Sequence, residues 1–375
     1  VFEKIEPVRA TYITPYVLAG SSRTNTLNEA ETAYDFESGP TFDVGLDVKV
    51  GITSNLTLDL TANTDFAQVE ADDQQVNLTR FSLFFPEQRL FFQERSTNFE
   101  LNFGQANRLF YTRQIGINDE EMVPLLGGAK IVGRVGKWDI GALNMQSGRQ
   151  NGLPSENFGV VRLRRQVLNS NSFAGGIVTT RLDENGGSNV GLGLDGIFRL
   201  TGQNYLSLAA VHTFDEEVKN GFDASRLRTH LRSEATEGFR YSLEFNRAGI
   251  DYRPDMGFEL RDDYSEYKIE GGWGRLGKTG ERLKRVEANA TSDLFVGNSS
   301  SSLQTRELTT KLILQSWTDF TLELKASRWT ENLDEEFELS EDINIPIERY
   351  TYNEVQITAT TWETKPVTSN NFIVL

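Results

Sequence analysis

The feature that most constrains this chain is an alternation of apolar and polar residues with a period of two. In residues 44–52, valine, leucine and isoleucine occupy the even positions, and glycine, aspartate and lysine occupy the odd ones. The same alternation recurs in residues 56–62, 190–200, 322–327 and 355–359. Successive side chains of a β-strand point to opposite faces, so each run predicts a strand with one apolar face and one polar face.

Turn-forming residues separate these runs. Asn-Gly at 151–152, Lys-Asn-Gly at 219–221 and Gly-Asn-Ser-Ser at 297–300 are typical of hairpin connections, which join antiparallel neighbours. The strand candidates have roughly 9 to 14 residues, longer than the usual value of about 5 to 6 and long enough to cross a bilayer at a tilt. Because no break in composition indicates a linker, we predict a single all-β domain over residues 1–375.

Composition leaves two all-β architectures open. The 38% apolar content and the mean hydropathy of −0.42 are ordinary for a soluble β-sandwich or propeller. A transmembrane β-barrel has a similarly low hydropathy, because every second residue faces a polar lumen. The polar faces here are rich in Gly, Asn, Thr, Asp and Arg rather than in Lys and Glu, which favours the barrel. No run of about 18 apolar residues predicts a transmembrane helix.

Aromatic residues near strand ends also favour a barrel, in which they form girdles at the two membrane interfaces. The residues assigned to these girdles are Tyr12, Tyr16, Trp138, Tyr205, Tyr241, Trp273, Trp317, Trp329, Tyr350, Tyr352 and Trp362. We therefore predict a transmembrane antiparallel β-barrel of about 16 strands, within a range of roughly 14–18.

Charge and composition restrict the classes of partner and cofactor. A net charge of −16 argues against nucleic acid, because phosphate binding needs a basic face. The absence of cysteine excludes disulfides and thiolate metal sites, and two histidines leave little room for a zinc site. The acidic clusters at 215–217 and 334–336 lack the spacing of a calcium-binding loop. We therefore predict no metal, no cofactor and no nucleic-acid partner.

Residues 64–105 interrupt the alternation. An N-cap candidate at 72 or 73 and apolar residues up to Pro86 predict a short helix or a compact loop, followed by a phenylalanine-rich turn. Such an insertion folds into the lumen of a barrel as a plug or packs across one mouth. The plug and lumen candidates are Glu70, Asp72, Arg80, Glu87, Arg89, Glu94 and Arg113.

The carboxylates of this insertion allow two interpretations. Paired carboxylates serve as acid and base in glycoside hydrolysis when the two groups lie about 5 to 10 Å apart. Alternatively, they pair with nearby arginines and hold the plug in place. We favour the structural role, predict no catalytic residue and expect a protein that is not an enzyme.

A basic ladder lines one face of two strand candidates. Its members are Arg162, Arg164, Arg226, Arg228, His230 and Arg232. A charge on a lipid-facing position costs about 2 to 4 kcal/mol at the midplane, so we expect these side chains in the lumen. They guide an anionic solute, or they pair with lumen acids such as Asp43, Asp47, Asp59 and Asp195. We favour pairing, with His230 as a hydrogen-bonding residue rather than a metal ligand.

Several motifs make the chain resemble a known family. They are D-F-A-Q-V-E-A-D at 65–72, Q-V-N-L-T-R-F at 75–81, F-F-P-E-Q-R at 84–89, F-F-Q-E at 91–94, L-F-Y-T-R-Q-I-G at 109–116 and D-M-G-F at 255–258. Through them the chain resembles an outer-membrane β-barrel domain of unknown function, which in Bacteroidota follows a carbohydrate-binding family-9-like module. The resemblance implies a place in the bacterial outer membrane, in contact with lipid and lipopolysaccharide. It also implies other outer-membrane proteins or a sugar-binding module as partners.

Three functional hypotheses follow from these observations. The first is a transport-related pore or a membrane anchor for a sugar-binding module. The second is a structural or interaction subunit of a larger outer-membrane complex. The third is a glycan hydrolase that uses lumenal carboxylates.

Overall fold

Strands make up most of the computed structural model, which describes residues 10–27, 34–64, 77, 79–118, 121–218, 221–318, 320–340, 343–361 and 370–374. The strands are β1 (Thr11–Leu27), β2 (Tyr34–Thr53), β3 (Leu56–Ala62), β4 (Ile117–Asn118), β5 (Glu121–Met122), β6 (Leu125–Val135), β7 (Trp138–Ser147), β8 (Glu156–Gln166), β9 (Phe173–Asp183), β10 (Ser188–Arg199), β11 (Asn204–Asp215), β12 (Ser225–Ser233), β13 (Gly238–Ala248), β14 (Tyr264–Leu276), β15 (Leu283–Gly297), β16 (Leu303–Ser316), β17 (Thr321–Asn332), β18 (Phe337–Ser340), β19 (Ile343–Ile345), β20 (Arg349–Thr360) and β21 (Asn370–Val374). The helical segments are α1 (Leu90–Gln93) and the 3-10 turns Ser96–Phe99, Thr112–Gln114 and Phe222–Ala224. None of the described helices has the length and apolar character needed to cross a membrane.

Seventeen of the described strands form one antiparallel sheet. Each strand pairs with the next in chain order, except that β3 pairs with β6 and β17 pairs with β20. The hairpins β4–β5 and β18–β19 lie in those two connections. Within the described residues β1 and β21 do not pair, so the sheet has two edges. The prediction of an all-β antiparallel architecture with about 16 strands is confirmed.

The two faces of the sheet differ sharply in chemistry and in exposure. Leu192, Val178 and Val161 pair in register across three strands, and their side chains are 44%, 39% and 49% exposed. Residues of the opposite parity form the polar face, where Arg162 is only 1% exposed. The alternation in the sequence therefore separates an uncovered apolar face from a polar face that is covered around Arg162.

Part of the polar face is covered by the segment between β3 and β6, of which we call residues 79–118 the insert. The main hydrophobic cluster lies between the insert and the sheet. It combines insert residues such as Phe103 and Leu109 with sheet residues such as Met145 and Phe158, all nearly inaccessible. The hydrophobic core of this protein therefore lies on the polar side of its sheet.

The connections at the two ends of the sheet differ in length. At one end, which we call the short-turn end, strands are joined by turns such as residues 136–137, 200–203 and 234–237. At the other, the long-loop end, the connections include residues 63–124, 249–263 and 333–348. The insert therefore enters and leaves the sheet at the long-loop end.

The first part of the insert is a loop. Residues 79–89 contain no helix, and α1 begins only after Pro86. The ring of Phe84 lies 4.9 Å from that of Tyr111 and 5.3 Å from that of Phe258. The mixed apolar spacing of this segment thus reflects packing against two distant segments rather than a helical period. Of the two predicted alternatives, the compact loop applies to residues 79–86, whereas the N-cap candidates at 72 and 73 lie outside the described residues.

The predicted aromatic girdles are only partly correct. Trp138, Tyr241 and Trp273 lie on the apolar face near the short-turn end. Six others lie on the polar face, because their register partners are polar-face residues: Tyr12, Tyr16, Tyr205, Trp329, Tyr350 and Tyr352. The position of an aromatic residue near a strand end does not decide which face of the sheet its side chain occupies, because the face depends on the parity of the residue in the strand. Trp362 lies outside the described residues.

Candidate functional site

Glycines on the polar face accommodate side chains of the insert. A Cβ atom added at Gly141 on β7 would lie 2.8 Å from the ring of Phe99. A Cβ atom at Gly193 on β10 would lie 2.9 Å from the side chain of Leu101. Contacts this short are not found between real side chains, so the glycines are needed for the insert to approach the sheet. The glycines of the polar face therefore leave the space that the side chains of the insert fill.

Charged residues anchor the insert to β2, β3 and β6. Lys130 and Asp59 form an ion pair of 3.1 Å between side chains that are almost fully buried. The Nζ group of Lys130 also donates to the backbone oxygen of Phe91 in α1. Next to it, Glu94 of the insert pairs with Lys49 of β2. A buried charge is costly unless it is paired, so this corner of the insert is fixed by electrostatics.

Arg89 joins the two ends of the insert. Its guanidinium donates to the Glu87 carboxylate at 2.8 and 3.0 Å. It also donates to the backbone oxygens of Thr112 and Ile115, at 2.7 and 2.9 Å. The guanidinium stacks 4.2 Å from the centre of the Phe92 ring. Because Arg89 is 2% exposed, these contacts replace nearly all of its hydration.

The carboxylates of the insert are held in their charged form. Burial raises the pKa of Glu87, but hydrogen bonds and the charge of Arg89 outweigh it, so the pKa lies below its usual value. The pKa of Glu94 is lowered by its hydrogen bond to Lys49. A glycosidase general acid needs a raised pKa, so neither group suits that role. Glu70 and Asp72, the other predicted acids, lie outside the described residues.

A second buried cluster ties the insert to β12 and β14. We call Arg226, Glu259, Tyr264 and Phe103 the Arg226 cluster. Arg226 Nε lies 3.2 Å from Glu259 Oε2, and its Nη2 donates to the Tyr264 hydroxyl at 2.9 Å. That hydroxyl donates to Glu259 Oε1 at 3.0 Å. The guanidinium lies 4.6 Å from the centre of the Phe103 ring of the insert. Burial raises the pKa of Glu259 despite the opposing charge of Arg226.

The loop of residues 249–263 binds the insert at the long-loop end of the sheet through backbone hydrogen bonds. Arg108 and Phe258 exchange backbone hydrogen bonds, and the Tyr111 N–H donates to the Met256 oxygen at 2.7 Å. A Cβ atom at Gly257 would lie 2.4 Å from the Arg108 oxygen, so only glycine fits there. The two motif regions read in the sequence, 84–116 and 255–258, therefore meet in space.

The remaining plug candidates also make contacts within this interface. Arg80 pairs with Glu331 on β17. Arg113 donates to the Pro86 oxygen at 3.2 Å, and its guanidinium lies 5.6 Å from the centre of the Phe85 ring. Arg80 thus connects the insert to the far side of the sheet, whereas Arg113 stabilises the fold of the insert itself.

Every arginine of the basic ladder has an acidic partner. The pairs are Arg162–Asp195 at 2.6 Å, Arg164–Asp139 at 3.1 Å, Arg226–Glu259 at 3.2 Å, Arg228–Glu244 at 2.7 Å and Arg232–Glu234 at 3.0 Å. Of the acids named as partners from the sequence, Asp195 binds the ladder, whereas Asp59 binds Lys130. The ladder is therefore largely neutralised along the strands that carry it.

His230 lies among these pairs on the polar face. Its Nε2 is 2.8 Å from the Ser242 hydroxyl, and its Nδ1 is 3.9 Å from Glu244. Among the described residues no group of three or more His, Asp or Glu side chains is arranged to hold a metal ion. A cavity of about 310 Å³ lies beside His230, between Glu100 of the insert and Arg228 of the sheet.

Two charged residues of this interface are not predicted from the sequence. Glu259 and Lys130 were not singled out, although each is the partner of a residue that was. The one signal for Glu259 is its position directly after the 255–258 motif. Lys130 stands in a strand with no motif, and only the buried Asp59 opposite it reveals its role.

Comparisons with known proteins bear on the first part of the chain. Residues 7–152, which include the insert and are well under half of the chain, match a family described as Domain of unknown function (DUF5916). This match confirms the resemblance to a domain of unknown function. No curated protein matches the sequence.

Among solved structures, the chain is similar to OccK7 (OpdD) of Pseudomonas aeruginosa. The alignment has 9% sequence identity and a TM-score of 0.36, and covers 97% of this chain and 93% of that chain.

Proposed function

We propose that this chain is a transmembrane β-barrel of a bacterial outer membrane, with the insert as a plug in its lumen, and that it acts as a gated, transport-related pore. The proposal rests on the exposure of the two faces of the sheet, which is the reverse of that in a soluble protein. Leu194 and Ile269 on the apolar face are 70% and 57% exposed, whereas Lys130 and Arg162 on the polar face are 1% exposed. A soluble sheet would bury the apolar face, while a lipid bilayer covers it without any further protein.

The two ends of the sheet support the same proposal. Outer-membrane barrels have short periplasmic turns and longer extracellular loops, as the short-turn and long-loop ends have here. Trp138, Phe239 and Trp273 all lie near the short-turn end and are 42%, 69% and 48% exposed. Aromatic side chains of this kind favour the membrane interface. In this orientation the plug is connected to the extracellular side.

The contacts of the insert indicate gating. The insert forms ion pairs with Lys49 on β2 and Glu331 on β17 and packs against glycines on β7 and β10, so a solute crosses the lumen only after the insert has moved. The firm attachment also favours a second role, a membrane anchor for a sugar-binding module, which needs no open path. The family resemblance to outer-membrane proteins of Bacteroidota supports that role.

Single-channel recording in planar bilayers separates the two roles. We expect the wild-type chain to be closed most of the time, and the double variant Phe99→Ala, Leu101→Ala to open more often, because its insert no longer fills the glycine contacts. Leu194→Ala on the apolar face is the matched control and should behave as wild type. If none of the three proteins conducts although each is shown to be inserted in the bilayer, the result contradicts the pore and favours the membrane anchor.

A further inference from the structure

A broad groove crosses the apolar face between β8 and β12. It has a volume of about 880 Å³ and is lined mainly by aliphatic side chains. Neighbouring strands lie about 4.8 Å apart, so the four spacings from β8 to β12 span about 19 Å. That span is close to the half-thickness of the hydrocarbon core, about 15 Å, and so to the length of one acyl chain.

Small residues in the register of the sheet create the groove. Gly176 on β9 pairs with Leu163 on one side and Leu194 on the other. Ala210 on β11 pairs with Leu194 and Leu227. Large side chains thus flank positions that carry a hydrogen atom or a methyl group, which leaves a trough between them.

The groove ends in positive charge at the short-turn end. Trp138 and Arg165 line it there, and the Arg165 guanidinium lies 5.3 Å from the centre of the Trp138 ring. Lys137 is next to them, since its backbone oxygen accepts a hydrogen bond of 3.0 Å from the Gln166 N–H. Neither Lys137 nor Arg165 forms an ion pair with any residue that the structure describes. Arg164, by contrast, points to the polar face and is paired with Asp139.

We propose that this groove binds an anionic phospholipid, with one acyl chain along β8–β12 and the phosphate at Arg165 and Lys137. The inference rests on the proposed function, because it requires the apolar face to lie in a bilayer. An apolar trough that ends in two unpaired cations and an indole ring matches a lipid with a negative headgroup. With the short-turn end in the periplasm, the lipid belongs to the periplasmic leaflet.

Native mass spectrometry of the delipidated full-length chain tests the proposal with two lipids that share acyl chains. These are palmitoyl-oleoyl phosphatidylglycerol, which is anionic, and its phosphatidylethanolamine counterpart, which is zwitterionic. We expect one phosphatidylglycerol molecule to be retained in preference. Arg165→Ala should weaken its binding by about fivefold, the effect of one basic side chain near a lipid surface. Ala210→Leu should fill the trough and weaken both lipids.

Two control variants keep the test specific. Lys278→Ala removes an exposed cation from another turn at the short-turn end, and Ala290→Leu enlarges an exposed alanine on β15, away from the groove. Both should bind the two lipids as wild type does. Equal binding of the two lipids, or equal binding by all variants, overturns the groove proposal. Liposome flotation of each protein is measured in parallel, and failure of the wild type to insert overturns the proposed function instead.

Discussion

Arg108 and Phe258 exchange two backbone hydrogen bonds, the N–H of each donating to the oxygen of the other at 2.8 and 2.9 Å. The pair joins the insert to the β13–β14 loop, although the two segments are far apart in the chain. It forms a small antiparallel bridge without a continuous strand on either side. The insert is therefore attached to the sheet at its far end as well as at its start.

A disulfide should lock this bridge. Residues that exchange both hydrogen bonds have Cα atoms about 5.5 Å apart, within the range for a disulfide. The chain has no cysteine, so the double variant Arg108→Cys, Phe258→Cys contains only the intended pair. Placed in the Phe99→Ala, Leu101→Ala background, it should close the channel when oxidised and open it on reduction. Arg108→Cys alone is the control. If the conductance of the double-cysteine variant is the same when oxidised and when reduced, this gating mechanism is contradicted.

The buried ion pair of Lys130 and Asp59 should contribute more to the free energy of unfolding than an exposed ion pair does. Asp59→Asn leaves the Lys130 ammonium buried without its counter-ion, which should cost about 3 to 5 kcal/mol of stability. Denaturant unfolding of the detergent-solubilised protein measures this loss. Arg149→Ala, which breaks an exposed pair with Glu184, should leave the unfolding midpoint nearly unchanged. Equal effects of the two substitutions would show that Lys130 is not a buried anchor.

Gly141 should tolerate a side chain only if the insert gives way. Gly141→Ala places a methyl group against the Phe99 ring, and overpacking of this kind costs about 1 to 3 kcal/mol. The insert should then become more sensitive to limited proteolysis, and the added substitution Phe99→Ala should restore protection. Gly271→Ala, at a strand glycine on the apolar face with open space around its Cβ position, provides a reference. A Gly141→Ala protein with wild-type resistance would mean that the insert does not press on β7.

Acid should loosen the insert. The pKa values of Glu87 and Glu94 are lowered in the folded protein, so their contribution to stability is present above the ordinary pKa of about 4.5 and is lost as the pH falls through the lowered values. Cleavage of the insert by an acid-tolerant protease should therefore rise below about pH 4.5. Glu87→Gln should show raised cleavage already at neutral pH and a weaker acid dependence. A wild-type profile that is flat down to pH 3 is the opposite result.

Features that depend on neighbouring residues in the chain can be predicted from the sequence, whereas contacts between distant segments cannot. Period-two alternation is local, and it placed Val161 and Arg162 on opposite faces, as the structure has them. Partners across the molecule are not encoded in local spacing, so the contact of Arg226 with Glu259 was not foreseen. Tyr205 was assigned to a membrane girdle from its place at a strand end, but its pairing with Arg232 puts it on the polar face.

The proposed membrane location requires the apolar face of the sheet to lie in lipid. Spin labels at Leu194→Cys and Ile269→Cys, each the only cysteine in the chain, report it directly through their collisions with oxygen and with a water-soluble nickel complex. Asn185→Cys, in an exposed turn, is the aqueous reference. In liposomes we expect high oxygen and low nickel accessibility at 194 and 269, and the reverse at 185. Nickel accessibility at 194 and 269 as high as at 185 would contradict it.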